Sequence, residues 1–503
     1  MSAPVPRLDE DLIGRLRADL LSADFTVTGV LDVLGPLASG ALSREQPLPA
    51  RRVASAPGSP AATLIRLLTL GDPVDLADVE AALPTLRVRG AVALGLVADE
   101  GNAVVARVDL RPYAADDAHW WVASDLAEVA TGAPVREDHV IGIGGASTTL
   151  AAWTIRRPAR RALDLGTGSG VQALHLGRHA DSVVATDLSE RALAFARFTA
   201  ALNGCAWDIR SGSMLEPVAG ERFDLVVSNP PFVITPRSGE VPLFEYRDGG
   251  AAGDAVVADL VRSVAAHLEP GGVAQMLGNW EVPRGSTWTD RVGSWLAGTG
   301  LDAWVVQREV QDPAEYAETW SRDGGHHTRT ADVDAMYAAW LDDFASRDVQ
   351  SIGFGVVTLH RPSTDREPFV DLMDERGPVP PAMGEPVLVG LESRVWLAEH
   401  SDDDVLDVPW RAAPDVTEER HTAPGAPDPS VIVARQGGGL GRVIRLTTVT
   451  AAYLSVADGA LTPRQAVGAI AGILDLDADE TTREVLGFVR DAAKDGLLLR
   501  RVD

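Results

Sequence analysis

A chain of 503 residues is longer than one ordinary domain, and two to four are expected. Hydrophobic residues make up 46% and charged residues 23%, a globular balance, while a formal net charge of −27 weighs against broad nonspecific nucleic-acid binding and leaves room for a local basic face. One cysteine, Cys205, excludes an internal disulfide and a cysteine-cluster metal site; no apolar run reaches bilayer length, and acids stand near the start where a signal peptide needs basic residues, so a cytoplasmic, non-membrane protein is expected.

The first region, residues 1–130, opens on DEDLIGRLRADLLSADF, whose Leu12, Leu16 and Leu20 recur at helical spacing. A short helix and strands follow, and the Asp-Glu-Gly-Asn turn at 99–102 predicts a hairpin. Helices followed by a hairpin read as a winged-helix-like module. Trp120 and Trp121 are expected in the core or at a contact between modules.

The second region, 131–362, alternates apolar runs (RALDLGTG, SVVATDLS, FDLVVSNPP, GVAQMLGNW) with helical segments, which implies an α/β domain with a parallel sheet and crossover helices. Late strands at 302–310 and 351–362 flank a helical insertion. The basic cluster RRPARR at 156–161 falls before the first strand and reads as a solvated face or a phosphate contact. GGHHTR places His326 and His327 beside Asp323; adjacent histidines point apart on most backbones, so a polar loop rather than a metal site is expected, and no metal is expected elsewhere.

The third region begins with acidic, proline-rich sequence at 363–430, read as a connecting region. A C-terminal module, 431–503, follows: a hairpin in VIVARQGGGLGRVIRL, two amphipathic helices and a short strand, again winged-helix-like. Thr462-Pro463 is a helix start, with Pro in the first turn. No long internal repeat or low-complexity tract occurs, and the oligomeric state is not set by the sequence.

Three strand ends carry the chemistry. ALDLGTGSGVQAL places Gly166, Gly168 and Gly170 between a strand and a helix, a backbone that turns tightly and lets a ligand approach; Val171 stands where a dinucleotide fingerprint needs a glycine. Asp187 ends the next strand, where its carboxylate can accept from ribose hydroxyls, although helix capping by Asp187 or Ser189 explains the same residues. Asp164, at the first strand's end, can face a cationic group. After FDLVV comes Asn229-Pro230-Pro231-Phe232, a stiff corner with no amide N–H at either proline.

Taken together, LDLGTGSG, VVATDLS and DLVVSNPPF resemble the class I S-adenosylmethionine-dependent methyltransferases, and the Asn-Pro-Pro-Phe corner resembles the motif of members that methylate nitrogens conjugated to planar systems. The resemblance implies a Rossmann-like, mostly parallel seven-stranded sheet and S-adenosyl-L-methionine held by Asp164, Gly166, Thr167, Gly168, Gly170, Asp187, Leu188, Gly212, Ser213 and Asn229. The Asn229 side-chain oxygen and the Pro230 carbonyl, stiffened by Pro231, would each accept one N–H of a flat NH2 group while Phe232 stacks on its plane.

A finer resemblance, over roughly residues 140–280, is to the release-factor glutamine methyltransferases, which carry a glycine-rich segment after the double proline. YRDGGAAGDAVVADL matches it, with Gly249, Gly250, Gly253 and Asp254 in corresponding places. Where that family has an aspartate after the third-strand glycine this chain has Ser213, and in place of its proline-arginine segment stands GIGGASTTL at 142–150. Ser147, Thr148 and Thr149 there either line the cofactor or form a linker turn. The expected activity is N-methylation of a protein or peptide glutamine-type amide. An RNA or DNA base methyltransferase is the alternative, marked by a basic stripe leading to Asn229, and a non-catalytic cofactor-binding regulator is the second.

Overall fold

The computed structural model describes residues 4–55, 58–237, 241, 243–323 and 331–501. His326 and His327 lie outside them. The chain divides into two compact units, one of residues up to 151, 158–299 and 310–355, the other of 152–157, 300–309 and 356 onward.

Eight strands form the main sheet: β1 Ala159–Leu165, β2 Ala180–Asp187, β3 Trp207–Ser211, β4 Phe223–Ser228, β5 Leu268–Pro283, β6 Asp302–Gln311, β7 Val349–His360 and β8 Val370–Asp374. Their order is β8-β6-β7-β5-β4-β1-β2-β3. The pairs β1–β2, β1–β4, β2–β3, β4–β5 and β6–β8 are parallel. Seven strands were expected. The eighth comes from the acidic, proline-rich stretch, where Val370, Leu372 and Met373 pair alongside Val305 and its neighbours on β6. That stretch also contains the helix Gly384–Glu399, whose Val387, Leu391 and Leu397 are buried at helical spacing. Periodic apolar residues outweigh the flanking acids and prolines there, so 363–430 is more than a connection.

Order 3-2-1-4-5 reverses the chain's direction of travel between β1 and β4, the switch point outside which open α/β sheets bind ligands. The strands of this half are near-continuous apolar runs because both faces are covered; Leu163, Leu165, Val184, Ala185, Leu225, Val226 and Val227 are all buried. Helices α1 Val171–Leu176, α2 Glu190–Asn203 and α3 Ala255–Ser263 supply cover. Trp280 is fully buried and stacked on Trp288 at 5.6 Å, a packing role.

The N-terminal residues pack on α2. Helix Glu10–Ser22, capped by Asp9, buries Ile13, Leu16 and Leu20. Its Arg17 donates to the carbonyls of Ala201 and Leu202, both at 2.7 Å, in the last turn of α2, where carbonyls lack intrahelical i+4 donors. Trp121 lies buried in the same core and donates its indole N–H to the Phe25 carbonyl at 2.7 Å. Helices Leu76–Ala82 and Arg87–Ala93 precede the hairpin Val97–Asp99 and Ala103–Ala106, which turns at the expected Asp-Glu-Gly-Asn.

In the C-terminal residues, Val431–Gln436 and Val443–Leu446 pair as a hairpin, and Pro463–Leu474 begins at Thr462 with a capping box to Gln465. Among the described residues no single helix is long and apolar enough to cross a bilayer; Glu10–Ser22 and Val27–Leu42 reach that length and apolarity only together, with a bend of 46° between them.

The basic cluster divides by role. Arg160 pairs with Asp224, and Arg161 pairs with Glu221 and lies 4.8 Å over the Phe223 ring. Both sit near the start of β4, at the opposite end of the strands from Asn229, so they secure the sheet.

A cleft at the sheet switch point

The ends of β1 and β4 are neighbours in register, Leu165 opposite Ser228, and the Ser228 hydroxyl donates to the Leu165 carbonyl at 2.8 Å. The glycine loop and the double-proline corner therefore leave the sheet side by side, over a cleft of about 1410 Å³. Ligand pockets commonly measure ~300–1,000 Å³, so this one has room for two bound molecules.

Eleven of the thirteen residues assigned from sequence line it: Gly166, Thr167, Gly168, Asp187, Leu188, Gly212, Ser213, Asn229, Pro230, Pro231 and Phe232. The other two, Asp164 and Gly170, do not. Asp164 is fully buried behind the loop, where Oδ2 accepts from the Thr167 hydroxyl at 2.6 Å and the Ala173 amide at 2.9 Å. It fixes the loop's shape instead of facing the cleft. A Cβ on Gly170 would stand 2.8 Å from the Trp207 ring, so that glycine serves packing.

Gly166 and Gly168 have φ of +77° and +56°. A Cβ at Gly168 meets nothing within 4 Å, and one at Gly166 meets only the Asn229 carbonyl at 4.0 Å. Their left-handed backbone is thus spent on an open cradle. The Gly168 amide donates to Asp187 Oδ2 and the Ser189 amide to Oδ1, both at 2.9 Å. Ser189 itself makes no side-chain cap to α2. A carboxylate offers about four acceptor positions, so Asp187 retains capacity for a diol. Burial raises its pKa, against the pull of the amide hydrogen bonds. Leu188 beside it is 70% exposed, an apolar surface at the cleft. S-adenosylmethionine, implied by the motifs, fits these features: an open glycine cradle, an acceptor for ribose hydroxyls and an apolar surface for a base.

Burial pushes the Asp164 carboxyl up to about 7, opposed by the Thr167 and Ala173 hydrogen bonds and assisted by the Asp187 charge. The folded chain thus holds this proton more tightly than the unfolded chain, whose aspartate titrates near 4. The stability it contributes is full below about pH 4 and is lost as pH rises through about 7. Asp164→Asn keeps the shape and removes the titration. Thermal melting followed from pH 5 to pH 8 is expected to fall several degrees less in the variant than in the wild type.

At the corner, the Asn229 side-chain oxygen is buried and accepts no hydrogen bond. Phe232 meets Trp320 edge-on at 6.3 Å between centroids. The glycine segment that follows shapes the corner: a Cβ on Gly249 would lie 3.1 Å from the Pro231 carbonyl and 2.4 Å from Val256. Buried Asp254 binds the Glu281 amide at 2.9 Å and pairs with Arg291. Arg247, buried, donates to the Trp320 carbonyl at 3.0 Å and lies 4.5 Å over the Phe244 ring.

Of the segment 142–150, Ser147 lines the cleft, and its carbonyl accepts from Gln172 at 2.8 Å. Thr148 and Thr149 are exposed and do not line it; the helix Gly145–Trp153 turns them outward. Arg44, Gln46, His139, Glu245 and Trp320 also line the cleft, and no local pattern in the sequence marks them. Among the described residues no group of three or more His, Cys, Asp or Glu is arranged to hold a metal.

Comparison with known proteins agrees with this arrangement. Residues 143–295 match a family model described as a methyltransferase small domain, and residues 22–107 match one described only as a domain of unknown function. Fold and match together make the segment a Rossmann-like, S-adenosylmethionine-dependent methyltransferase domain. More particularly, it resembles the release factor glutamine methyltransferases. That of Xylella fastidiosa (strain Temecula1) is 38% identical over 132 residues, 24% of this chain and 48% of the relative. That of Geobacter sulfurreducens is 37% identical over 124 residues, 23% and 43%. The ribosomal RNA small subunit methyltransferase C of Klebsiella pneumoniae is 33% identical over 125 residues, 24% and 32%. The chain thus spans about half the length, or less, of the curated relatives it matches. A solved methyltransferase from Pyrococcus furiosus aligns at 16% identity and a TM-score of 0.26, over 41% of this chain and 78% of its own.

Proposed function

We propose that the chain is an S-adenosylmethionine-dependent N-methyltransferase acting on a flat primary amide of a protein or peptide, of the glutamine type. One observation carries the reading: Asn229, which lines the cleft beside an open glycine cradle, has a buried side-chain oxygen to which nothing donates. A buried acceptor without a partner costs about 1–3 kcal/mol, a cost removed when an N–H arrives.

When bound, S-adenosylmethionine supplies an electrophilic methyl group. Gly166, Thr167, Gly168, Asp187, Leu188, Gly212 and Ser213 hold it, with Asp164 and Gly170 shaping the loop from behind. Asn229 Oδ1 and the Pro230 carbonyl each accept one N–H of the target, and Phe232 covers its plane. An amide nitrogen shares its lone pair with the carbonyl and is a weak nucleophile, so the gain comes from fixed orientation and exclusion of water.

Charge supports a protein substrate. The cleft lining has nine acidic residues against four arginines. Of the four, Arg111 pairs with Asp109, Arg191 with Asp125, and Arg247 is buried among aromatic rings. That leaves Arg44, which is no basic stripe for a polyanion. A base of RNA or DNA is the second reading, supported by the ribosomal RNA methyltransferase among the relatives.

The test incubates the chain with methyl-labelled cofactor and whole-cell extract, then treats the product with nuclease or protease. Label is expected in protease-sensitive, nuclease-resistant polymer. Label removed by nuclease supports the second reading; tight cofactor binding without label in any polymer supports a non-catalytic regulator.

A further inference from the structure

Helix α4, Pro313–Asp323, belongs to the insertion between β6 and β7 and lies beyond the residues that match the methyltransferase family model. It is pinned to the segment behind the double-proline corner. The buried Tyr316 hydroxyl accepts from the Ile234 amide at 2.8 Å and the Asn279 amide at 2.9 Å. Four residues on, Trp320 lies on the same helix face, lines the cleft and meets Phe232 edge-on. The Trp320 carbonyl is used by Arg247, but its indole N–H is buried and donates to nothing.

Among the buried side-chain atoms of cleft-lining residues that make no hydrogen bond are an acceptor on Asn229, three residues before Phe232, and a donor on Trp320, against the Phe232 ring; the Thr186 hydroxyl at the end of β2 is another. Buried polar groups in native structures are nearly always paired, and an exception calls for a partner. A primary carboxamide is complementary to an acceptor and a donor of this kind, with N–H donors on nitrogen and an acceptor oxygen on the adjoining carbon; the amino edge of adenine or cytosine offers the same pattern, and the acidic lining of the cleft favours the carboxamide. An alkylamine would satisfy Asn229 and leave Trp320 without a partner.

We propose that Trp320 contacts substrate, its indole N–H donating to the carbonyl oxygen of a primary carboxamide whose NH2 faces Asn229. The proposal rests on the N-methyltransferase reading above. The residue lies in the insertion between β6 and β7, outside the segment that matches the family model.

The full chain, labelled with nitrogen-15 at the tryptophan indoles, gives one resonance missing in Trp320→Phe, which keeps a ring against Phe232 and removes the N–H. With S-adenosylhomocysteine present, titration with N-acetylglutamine amide is expected to shift that resonance saturably, and adenosine is expected to leave it in place. Trp320→Phe is expected to keep cofactor affinity and to lower kcat/KM for transfer to extract protein about 10- to 100-fold, chiefly through KM. Wild-type transfer to protein with a resonance that the amide does not move overturns the role of Trp320 and leaves the N-methyltransferase reading intact. A resonance moved by adenosine and not by the amide overturns the carboxamide. Failure of the wild type to bind S-adenosylhomocysteine overturns the reading and the proposal with it.

Discussion

Asn229→Ala is expected to bind S-adenosylmethionine within about twofold of the wild type and to lose methyl transfer by a factor on the order of 10²–10³. The asymmetry follows from position. The residues proposed to hold the cofactor lie at the ends of β1, β2 and β3, whereas the Asn229 side chain leaves β4 with its oxygen unpartnered. Removing it breaks no hydrogen bond to that oxygen, so the fold should bear the change with little loss in melting temperature. The target NH2 would then lack one of its two acceptors, and the nitrogen would rotate away from the reactive orientation. Calorimetric cofactor titration beside a single-turnover transfer assay separates the two effects. Transfer at a near wild-type rate would show that Asn229 does not orient the target.

The second large effect contrasts two glycines two positions apart. Gly168→Ala adds a methyl group that meets no protein atom within 4 Å, so the fold bears only the left-handed backbone cost, ~1–2 kcal/mol. The same methyl group occupies the cradle, and cofactor affinity is expected to fall by a factor of about ten or more. Gly170→Ala is expected to do the reverse. Its Cβ meets the Trp207 ring at 2.8 Å and 3.0 Å, and overpacking of that kind costs ~1–3 kcal/mol on top of the backbone term. The folded variant keeps its affinity, because Gly170 does not line the cleft. Melting curves and cofactor titrations on the two proteins are expected to show opposite rank orders.

Much of the site was legible because it is local. A tight turn needs glycines at fixed offsets, a strand-end carboxylate follows its strand, and a double proline marks a corner wherever it falls. The parallel sheet was legible from alternation of apolar runs and helices. Other features depend on what the fold brings together. Asp164 and Asp187 both lie at the carboxyl ends of strands, yet one is sealed behind the loop and the other lines the cleft; only the direction of the side chain separates them. Trp320 stands 88 positions after Phe232 in an insertion whose helical pattern gives no sign that one face meets the corner. Arg44 and Gln46 line the cleft in a region whose Arg17 donates to carbonyls of α2 and whose Trp121 backbone exchanges hydrogen bonds with the Asn203 side chain, and no spacing in the sequence encodes such contacts. Strand β8 was hidden by flanking acids and prolines, which in this chain border periodic apolar sequence.

Acid hydrolysis of the labelled product tests the central claim most directly. An N-methylated side-chain amide breaks down to the free acid and methylamine, so label from the cofactor methyl group is predicted to be released from protein as methylamine, volatile once the hydrolysate is made basic. Recovery of label as methylated nucleobase, or as methanol after mild base, would contradict an account built on a carboxamide held between Asn229 and Pro230.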